Sequence, residues 1–455
     1  MKPADDTIEP PAHGVSFREA TLFWIKLGFI NFGGPTGQIA IMHDELVERR
    51  RWISNARFLH ALNYCMLLPG PEAQQLAIYV GWLLHKVKGG IIAGVAFVLP
   101  AFFLILGLSY VYVVYGDIPW VSGVFYGLSA AVVGIVAAAV IRIGKKALGN
   151  PVMYSIAAAA FAAIFFFHVP FPIIVIVAGL IGLLAGPRWP TTFTVEQEHA
   201  GEEAAISDRN SAGEHTSVKL GRTLLVLVIG LAVWFVPLLL VTAWAGRGTT
   251  LSQQAWFFSK AAVVTFGGAY AVLAYITQAA VTKYGWLTAG QMVAGLGLAE
   301  STPGPLIMVT EFVGFVGAYQ HPGGLDPLLA GLVGATVVTW ATFAPCFLWI
   351  FLGAPFIESL RGKTRLSTAL TTITAAIVGV VLNLALWFGI NTLFGTVREV
   401  TAFGGPVPVP VWTSVDWFAV AVAALAFVGL WRYGWNVIPV VAGSAFAGLL
   451  YTLAR

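Results

Sequence analysis

Residues 66–72 read MLLPGPE, and residues 300–306 read ESTPGPL. Each Pro-Gly-Pro lies in the middle of an apolar stretch. Proline has no backbone N–H and its ring clashes with the preceding turn, and glycine weakens a helix further, so this tripeptide predicts a break in a helix. The rest of the chain says where that helix lies. Hydrophobic residues make up 58% of the 455, and charged residues only 10%, against about 25% in soluble domains. Apolar runs of roughly bilayer-crossing length occupy 91–115, 122–141, 151–167, 172–186, 223–244, 327–352, 367–390, 413–430 and 435–453. They lack the ~10-residue alternation of barrel strands, so the expected fold is all-α, a polytopic helical membrane protein.

The two Pro-Gly-Pro tripeptides belong to an internal duplication. An offset of 234, the distance from Pro69 to Pro303, brings Lys26 onto Lys260 and Phe32-Gly33-Gly34 onto Phe266-Gly267-Gly268. It also brings Trp52 onto Trp286, and Gly89-Gly90 onto Gly323-Gly324, without a gap. The domain division follows. Residues 1–16 are a polar tail with no basic segment leading into an apolar one, so no cleavable signal peptide is expected. The first repeat spans 17–186. Residues 187–222 are expected to be a polar cytoplasmic linker, 223–255 a connecting transmembrane helix and loop, and the second repeat spans 256–455. One extra crossing between repeats turns the second over, which gives inverted topology.

Basic residues agree with an inversion, because Lys and Arg favour the cytoplasmic side. The first repeat carries Arg49, Arg50, Arg51 and Arg57 after its Phe-Gly-Gly, where the second has only Lys283. Lys86 and Lys88 face a stretch, YQHPGGLD, with neither Lys nor Arg. Farther on the bias reverses: YGDIPW has no basic residue, and its counterpart holds Arg361, Lys363 and Arg365. The loops at 43–57 and 85–90 are both basic, so the segment between them is expected to be re-entrant, turning at Pro69-Gly70-Pro71. Residues 17–42 either form a second hairpin turning at Phe-Gly-Gly or span once. With four hairpins and nine crossings, all but five of the 25 Lys and Arg sort to the cytoplasmic side, the exceptions being Arg247, Lys260, Lys283, Arg398 and Arg455.

Helix ends inside a membrane expose unpaired N–H groups and a positive partial charge, which attract anions. Broken helices at matched places in two halves are a pointer to a transporter's substrate site. The candidate substrate-binding residues are Lys26, Asn31, Gly33, Gly34, Thr36 and Gln38 at the first Phe-Gly-Gly, and Pro69, Gly70, Pro71 and Gln74 at the first Pro-Gly-Pro. In the second repeat they are Lys260, Thr265, Gly267, Gly268, Ser301, Thr302, Pro303, Gly304 and Pro305. Glu72 and Glu300 are candidates for proton coupling, and capping a half-helix is the other role open to them. The two lysines either bind an anion or extend to the membrane interface. Gln75 and Tyr270 also flank the breaks, and Glu311 lies farther along an apolar stretch. Arg49–Arg51 read first as a topology signal.

Several function classes are excluded or disfavoured. Cys65 and Cys346 lie in apolar segments and make no disulfide framework. The eight His residues have no metal-ligand spacing, and no P-loop, zinc motif or nucleophile–base set is present, so neither cofactor, metal nor enzymatic activity is expected. The net charge of +4 suits a positive-inside membrane protein and does not argue for nucleic acid. The expected partners are a small ion, protons and the lipid bilayer; the oligomeric state, a homodimer included, is open.

FGGPTGQIAIMHDELVERRRWIS followed by LLPGPEAQQLAIYVGW resembles the chromate ion transporter (CHR) family. FFSKAAVVTFGGAYAVLAYI with YGWLTAGQMVAGLGLAESTPGPL resembles the second domain of its long-chain members. The resemblance carries over to Phe32, Gly33, Gly34, Pro35, Trp52, Pro69, Gly70, Pro71 and Glu72, and to Phe266, Gly267, Gly268, Trp286, Pro303, Gly304 and Pro305. It implies secondary active export of chromate from the cytoplasm across a bacterial inner membrane, coupled to the proton motive force and conferring chromate resistance. The halves differ, with Ala269 in place of Pro35 and Leu306 in place of Glu72. Sulfate resembles chromate in shape and charge, so a sulfate or other oxyanion transporter is the alternative, as is an oxyanion channel.

Overall fold

The computed structural model describes residues 14–32, 34–186, 188–189, 220–266, 268–354, 364–402 and 405–455. Most of the N-terminal tail and linker, Gly33, Gly267, and the loop with Arg361 and Lys363 lie outside the described residues.

In the first half, α1 (Phe17–Ile30) starts at Ser16, whose hydroxyl accepts from the Glu19 N–H, and ends at Asn31. Beyond Phe-Gly-Gly, α2 (Gly34–His43) runs into one π-helical turn, Asp44–Arg49. Ser54 caps α3 (Asn55–Leu67), which stops where Pro69 and Pro71 remove the next N–H donors. α4 (Glu72–Tyr115) resumes at once, but the backbone leaves helical geometry at His85 and Lys86. The two arms of α4 fold back on each other through glycines. A Cβ on Gly81 would lie 2.5 Å from the Gly89 carbonyl, and one on Gly94 2.5 Å from Ile78. α5 (Pro119–Ala147), α6 (Pro151–Phe165) and α7 (Phe171–Ala185) complete the half, each opening with proline in its first turn, where no N–H is needed.

In the second half, α8 (Leu220–Ala245) is followed by α9 (Thr250–Val264), α10 (Ala269–Thr277) and a second π-helical turn, Gln278–Lys283. α11 (Ala289–Ser301) opens with a reciprocal Thr288–Gln291 cap and ends at the second break. A 3₁₀ turn, Leu306–Met308, leads into α12 (Val309–Gln320). Then come α13 (Pro327–Gly353), α14 (Thr364–Leu393), an antiparallel hairpin of β1 (Val397–Ala402) and β2 (Gly405–Pro410), α15 (Trp417–Arg432) and α16 (Val437–Leu453).

The 234-residue offset holds in the backbone. Gly34 and Gly268 have φ of 66° and 99°, Gly70 and Gly304 have 122° and 117°, and Arg51 and Gly285 have 50° and 62°. The two π-helical turns coincide under the same shift. Trp52 and Trp286 are both buried; Arg50 covers the first at 5.1 Å, and Tyr284, at the position equivalent to Arg50, stacks on the second at 4.5 Å.

Two readings of the sequence need correction. The run 151–167 and the run 172–186 form helices of only 15 residues each, about 22 Å at 1.5 Å per residue against a hydrocarbon core of about 30 Å. Neither has the length to cross alone and upright. The run 413–430 starts its helix only at Trp417, because a 3₁₀ turn at Trp412–Ser414 and the β-hairpin precede it. Among the described residues, five helices, within α4, α5, α8, α13 and α14, are long and apolar enough to cross by length and composition.

Candidate functional site

An interrupted helix leaves backbone donors and acceptors that must find partners away from water. At the breaks they find them in the other half. The Gly70 N–H donates to the Thr265 carbonyl at 2.8 Å, and the Gly304 N–H donates to the Asn31 carbonyl at 2.7 Å. Both bonds obey the 234 offset, so each Pro-Gly-Pro docks on the other half's Phe-Gly-Gly. Amide side chains reinforce the turns: Gln38 Nε2 donates to the Gly304 carbonyl at 2.5 Å and Gln75 Nε2 to the Pro69 carbonyl at 2.8 Å.

A third link joins the two docking points. The Tyr270 hydroxyl, two residues beyond the second Phe-Gly-Gly, donates to the Glu300 carboxylate, three residues before the second Pro-Gly-Pro. Glu72 opens α4 immediately after Pro71 and is buried. A Cβ on Gly268 would lie 3.8 Å from Glu72 Oε1. The breaks therefore form one connected polar centre through Gly70–Thr265, Tyr270–Glu300 and Gly304–Asn31.

Among the described residues, that centre holds polar atoms without protein partners. Asn31 is fully buried, and neither its Oδ1 nor its Nδ2 is hydrogen-bonded; Glu72 Oε2, Gln74 Oε1 and Gln75 Oε1 are also unpartnered. Buried polar atoms are normally satisfied by protein, water or ligand, so these are open to water or to a polar guest. A half-helix N-terminus and an amide donor such as Asn31 Nδ2 suit an anion.

Other predicted residues are placed differently. Thr265 Oγ1 donates to the Ala261 carbonyl at 2.6 Å, Ser301 Oγ to Leu298 at 2.8 Å and Thr302 Oγ1 to Leu298 at 3.0 Å. Those hydroxyls are engaged by the preceding turn, the usual fate of Ser and Thr in apolar helices. Lys26 is 55% exposed and lies 3.9 Å from Glu45, a buried carboxylate that also holds Arg49 at 3.2 Å and Arg50 at 3.3 Å. Its counterpart Lys260 is exposed, and among the described residues it makes no ion pair; position 279, which matches Glu45, is alanine. The side chain of Thr36 lies outside the described residues.

One residue escaped the sequence reading. Arg142, on α5, is within electrostatic reach of both Tyr270 and Glu300. Its only signal was a lone arginine just before Gly144-Lys145-Lys146, where a run of cations reads as topology. Glu311 is fully buried on α12 with both carboxyl oxygens unpartnered. Cys346 approaches the first break: a Cβ on Gly70 would lie 3.0 Å from its sulfur.

A family model described as Chromate transporter matches residues 18–183 and 252–449, two blocks that correspond to the two halves. A chromate transport protein of Cupriavidus metallidurans is 31% identical over 386 residues, covering 84% of this chain and 85% of its own length. One of Pseudomonas aeruginosa is 30% identical over 453 residues, covering 99% of this chain and 96% of its own. A probable chromate transport protein of Synechococcus elongatus is 29% identical, with 86% and 89% covered. No solved structure matches the chain. Duplicated breaks, their reciprocal docking and these relatives lead to one assignment: the chain belongs to the chromate transporter family.

Proposed function

We propose that the protein is a secondary active transporter that exports chromate across a bacterial inner membrane, driven by the proton motive force, and so gives chromate resistance. The observation that carries this reading is the reciprocal docking of each Pro-Gly-Pro on the other half's Phe-Gly-Gly, around buried polar atoms without partners. Two related contacts around one polar centre suit alternating access, in which one opens while the other holds. The halves have inverted topology in this proposal, with the breaks as re-entrant turns, in keeping with the reversed Lys and Arg bias. The relatives' names support chromate as the substrate. A dianion leaving an inside-negative cell moves with the potential, which contributes about 2.3 kcal/mol per charge per 100 mV. Glu72 and Glu300 are the carboxylates at the breaks available for proton exchange.

Inverted membrane vesicles test the proposal, because export appears there as accumulation. With an acidic interior and no membrane potential across the vesicle, chromate is expected to accumulate above its external concentration and to leak out when an uncoupler is added. Flux that only runs down the chromate gradient, indifferent to uncoupler, would make the protein a channel or facilitator. Preferential accumulation of sulfate in competition would reassign the substrate.

The lysines give a second expectation. Lys26 is one of three cations at the buried Glu45, and because the lysine itself is exposed and 3.9 Å away, solvent screens its share to about 0–1 kcal/mol. Lys26→Ala is therefore expected to change the KM for chromate less than about fivefold. Lys260→Ala removes a cation with no carboxylate partner among the described residues and is expected to raise KM more. Equal effects in vesicle uptake kinetics would count against the asymmetry.

A further inference from the structure

We propose that Glu311 is a second proton-carrying residue of the transport cycle, the second half's counterpart of Glu72, and that a proton crossing the protein uses the two carboxyls in series. The proposal rests on the proton-coupled reading above and adds a carrier on the far side of the second break. Under the 234-residue offset Leu306 stands in the place of Glu72, and the place of Glu311 is taken by Ala77. The backbone restores the match. α4 starts straight after Pro71, with Glu72 in its first turn. The 3₁₀ turn Leu306–Met308 delays α12, so the first turn of that helix holds Glu311. Each helix that leaves a Pro-Gly-Pro therefore begins with one carboxylate. Glu311 is fully buried, and neither of its oxygens takes one of the free N–H groups that a first-turn glutamate ordinarily satisfies.

Packing sets Glu311 on a line toward the first break. Glu311, Gly314, Phe315 and Ala318 share one face of α12 by helical spacing. That face lies on α13: a Cβ on Gly314 would lie 2.6 Å from the Gly334 carbonyl and 2.8 Å from Val338, and one on Gly331 3.2 Å from Phe315. The helices run antiparallel, so the next turn brings Glu311 level with Ala341. Pro345, inside α13, has no N–H to give the Ala341 carbonyl, which is left as an acceptor for a protonated carboxyl or a water. Five residues on, about 7.5 Å of helix, Cys346 reaches the first break, where a Cβ on Gly70 would lie 3.0 Å from its sulfur. Glu72 follows two residues after Gly70. The residues 341–346 of α13 thus bridge the two carboxyls. α13 itself carries no charged residue. Of the other helices packed on α12, α9 carries only Lys260, which is exposed, and α11 only Glu300, which Tyr270 holds. α4 brings Tyr112, whose ring lies 5.2 Å from Phe312, and has its charged residues at its start and its bend. Among the described residues no cation pairs with Glu311. A carboxyl is costly to keep in such a place, and residues of this kind mark proton routes. With inverted topology the first break opens toward the cytoplasm and the second toward the other side, so the two carboxyls meet the two solutions in turn. Glu311 gives its proton to the Glu72 carboxylate within the protein, and Glu72 releases it to the cytoplasm.

Inverted vesicles under a pH gradient, acidic inside and without a membrane potential, test this. Glu311→Gln is expected to bring lumenal chromate down to its external concentration while leaving flux down a chromate gradient. Glu311→Asp keeps a titrating group and is expected to recover part of the accumulation. A purely structural acid predicts the reverse order, because glutamine keeps the size and a donor, whereas the shorter aspartate misplaces them. Accumulation in Glu311→Gln equal to that of the unmodified protein overturns the proposal, and so does more accumulation in Glu311→Gln than in Glu311→Asp. A second measurement needs neither variant nor chromate. Dicyclohexylcarbodiimide modifies carboxyls in apolar surroundings when they carry a proton, and mass spectrometry locates the adduct. Labelling of Glu311 that falls as the pH of the medium rises supports proton exchange at this residue; labelling that is absent or indifferent to pH overturns it. Should Glu311→Gln fail to fold, this measurement decides. If the unmodified protein shows no uncoupler-sensitive accumulation, the coupled reading fails by itself, and the labelling still decides whether Glu311 exchanges a proton.

Discussion

Gly304→Ala is expected to abolish transport, and adding Ala101→Gly to the same chain is expected to bring part of it back. Gly304 has φ of 117°, a region that costs a residue with a side chain about 1–3 kcal/mol. A Cβ there would also lie 2.3 Å from the Ala101 Cβ. That methyl sits directly on the first-repeat helix α4 and has no rotamer to escape through, so the backbone must move, at about 1–3 kcal/mol more. The movement would draw the Gly304 N–H from the Asn31 carbonyl and its carbonyl from Gln38. Removing the Ala101 methyl relieves the contact and leaves only the dihedral strain. The double variant should therefore be more stable than Gly304→Ala alone, a coupling that a double-mutant cycle on thermal stability and chromate uptake reads directly. Gly70→Ala is the milder case. Its φ is 122°, but its new Cβ meets the end of the Gln75 side chain at 2.9 Å and the Cys346 sulfur at 3.0 Å. The Gln75 amide can swing away. Equal losses from the two glycines, or no relief from Ala101→Gly, would mean that close packing at the second break is not what holds the centre together.

These glycines also mark how far the sequence could be read. Gly34, Gly70, Gly268 and Gly304 were visible as matched pairs, because only glycine adopts positive φ without strain and the duplication preserved it. What no periodicity could give is the exchange of partners. Gly70 bonding to Thr265, and Gly304 to Asn31, are contacts between halves more than 190 residues apart, decided by packing. The π-helical turns at Asp44–Arg49 and Gln278–Lys283 were equally hidden, since one wider turn leaves the apolar pattern nearly unchanged. Arg142 was hidden by its neighbours Lys145 and Lys146. The β-hairpin had a signal that went unread: VREVTAFGGPVPVP carries β-branched residues on both sides of a Gly-Gly pair. Its prolines at 406, 408 and 410 are tolerated because β2 has no partner on its outer edge among the described residues.

Under a pH gradient with no membrane potential, Glu72→Gln is expected to eliminate uncoupler-sensitive accumulation of chromate while leaving flux down a chromate gradient. The residue opens α4 beside the first break, buried, with Oε2 unpartnered and Oε1 directed toward Gly268. A carboxylate so placed can serve the helix end or carry a proton, and the duplication separates the two roles. At the matching position Leu306 stands, and the second break closes all the same, through the 3₁₀ turn Leu306–Met308. A carboxylate is therefore not required to make a Pro-Gly-Pro break of this kind. Glutamine keeps the size of the side chain and one acceptor oxygen but cannot exchange a proton, so only the coupling should be lost. A helix-end role predicts a different pattern: Glu72→Gln close to the unmodified protein in accumulation, and Glu72→Ala destabilised by about 1 kcal/mol, the usual loss when a capping acceptor is removed. Accumulation in vesicles before and after uncoupler, read beside the thermal midpoints of the two variants, distinguishes them. Retained uncoupler-sensitive accumulation in Glu72→Gln would move the proton elsewhere, and the buried, unpartnered carboxyl of Glu311 would be the next to replace.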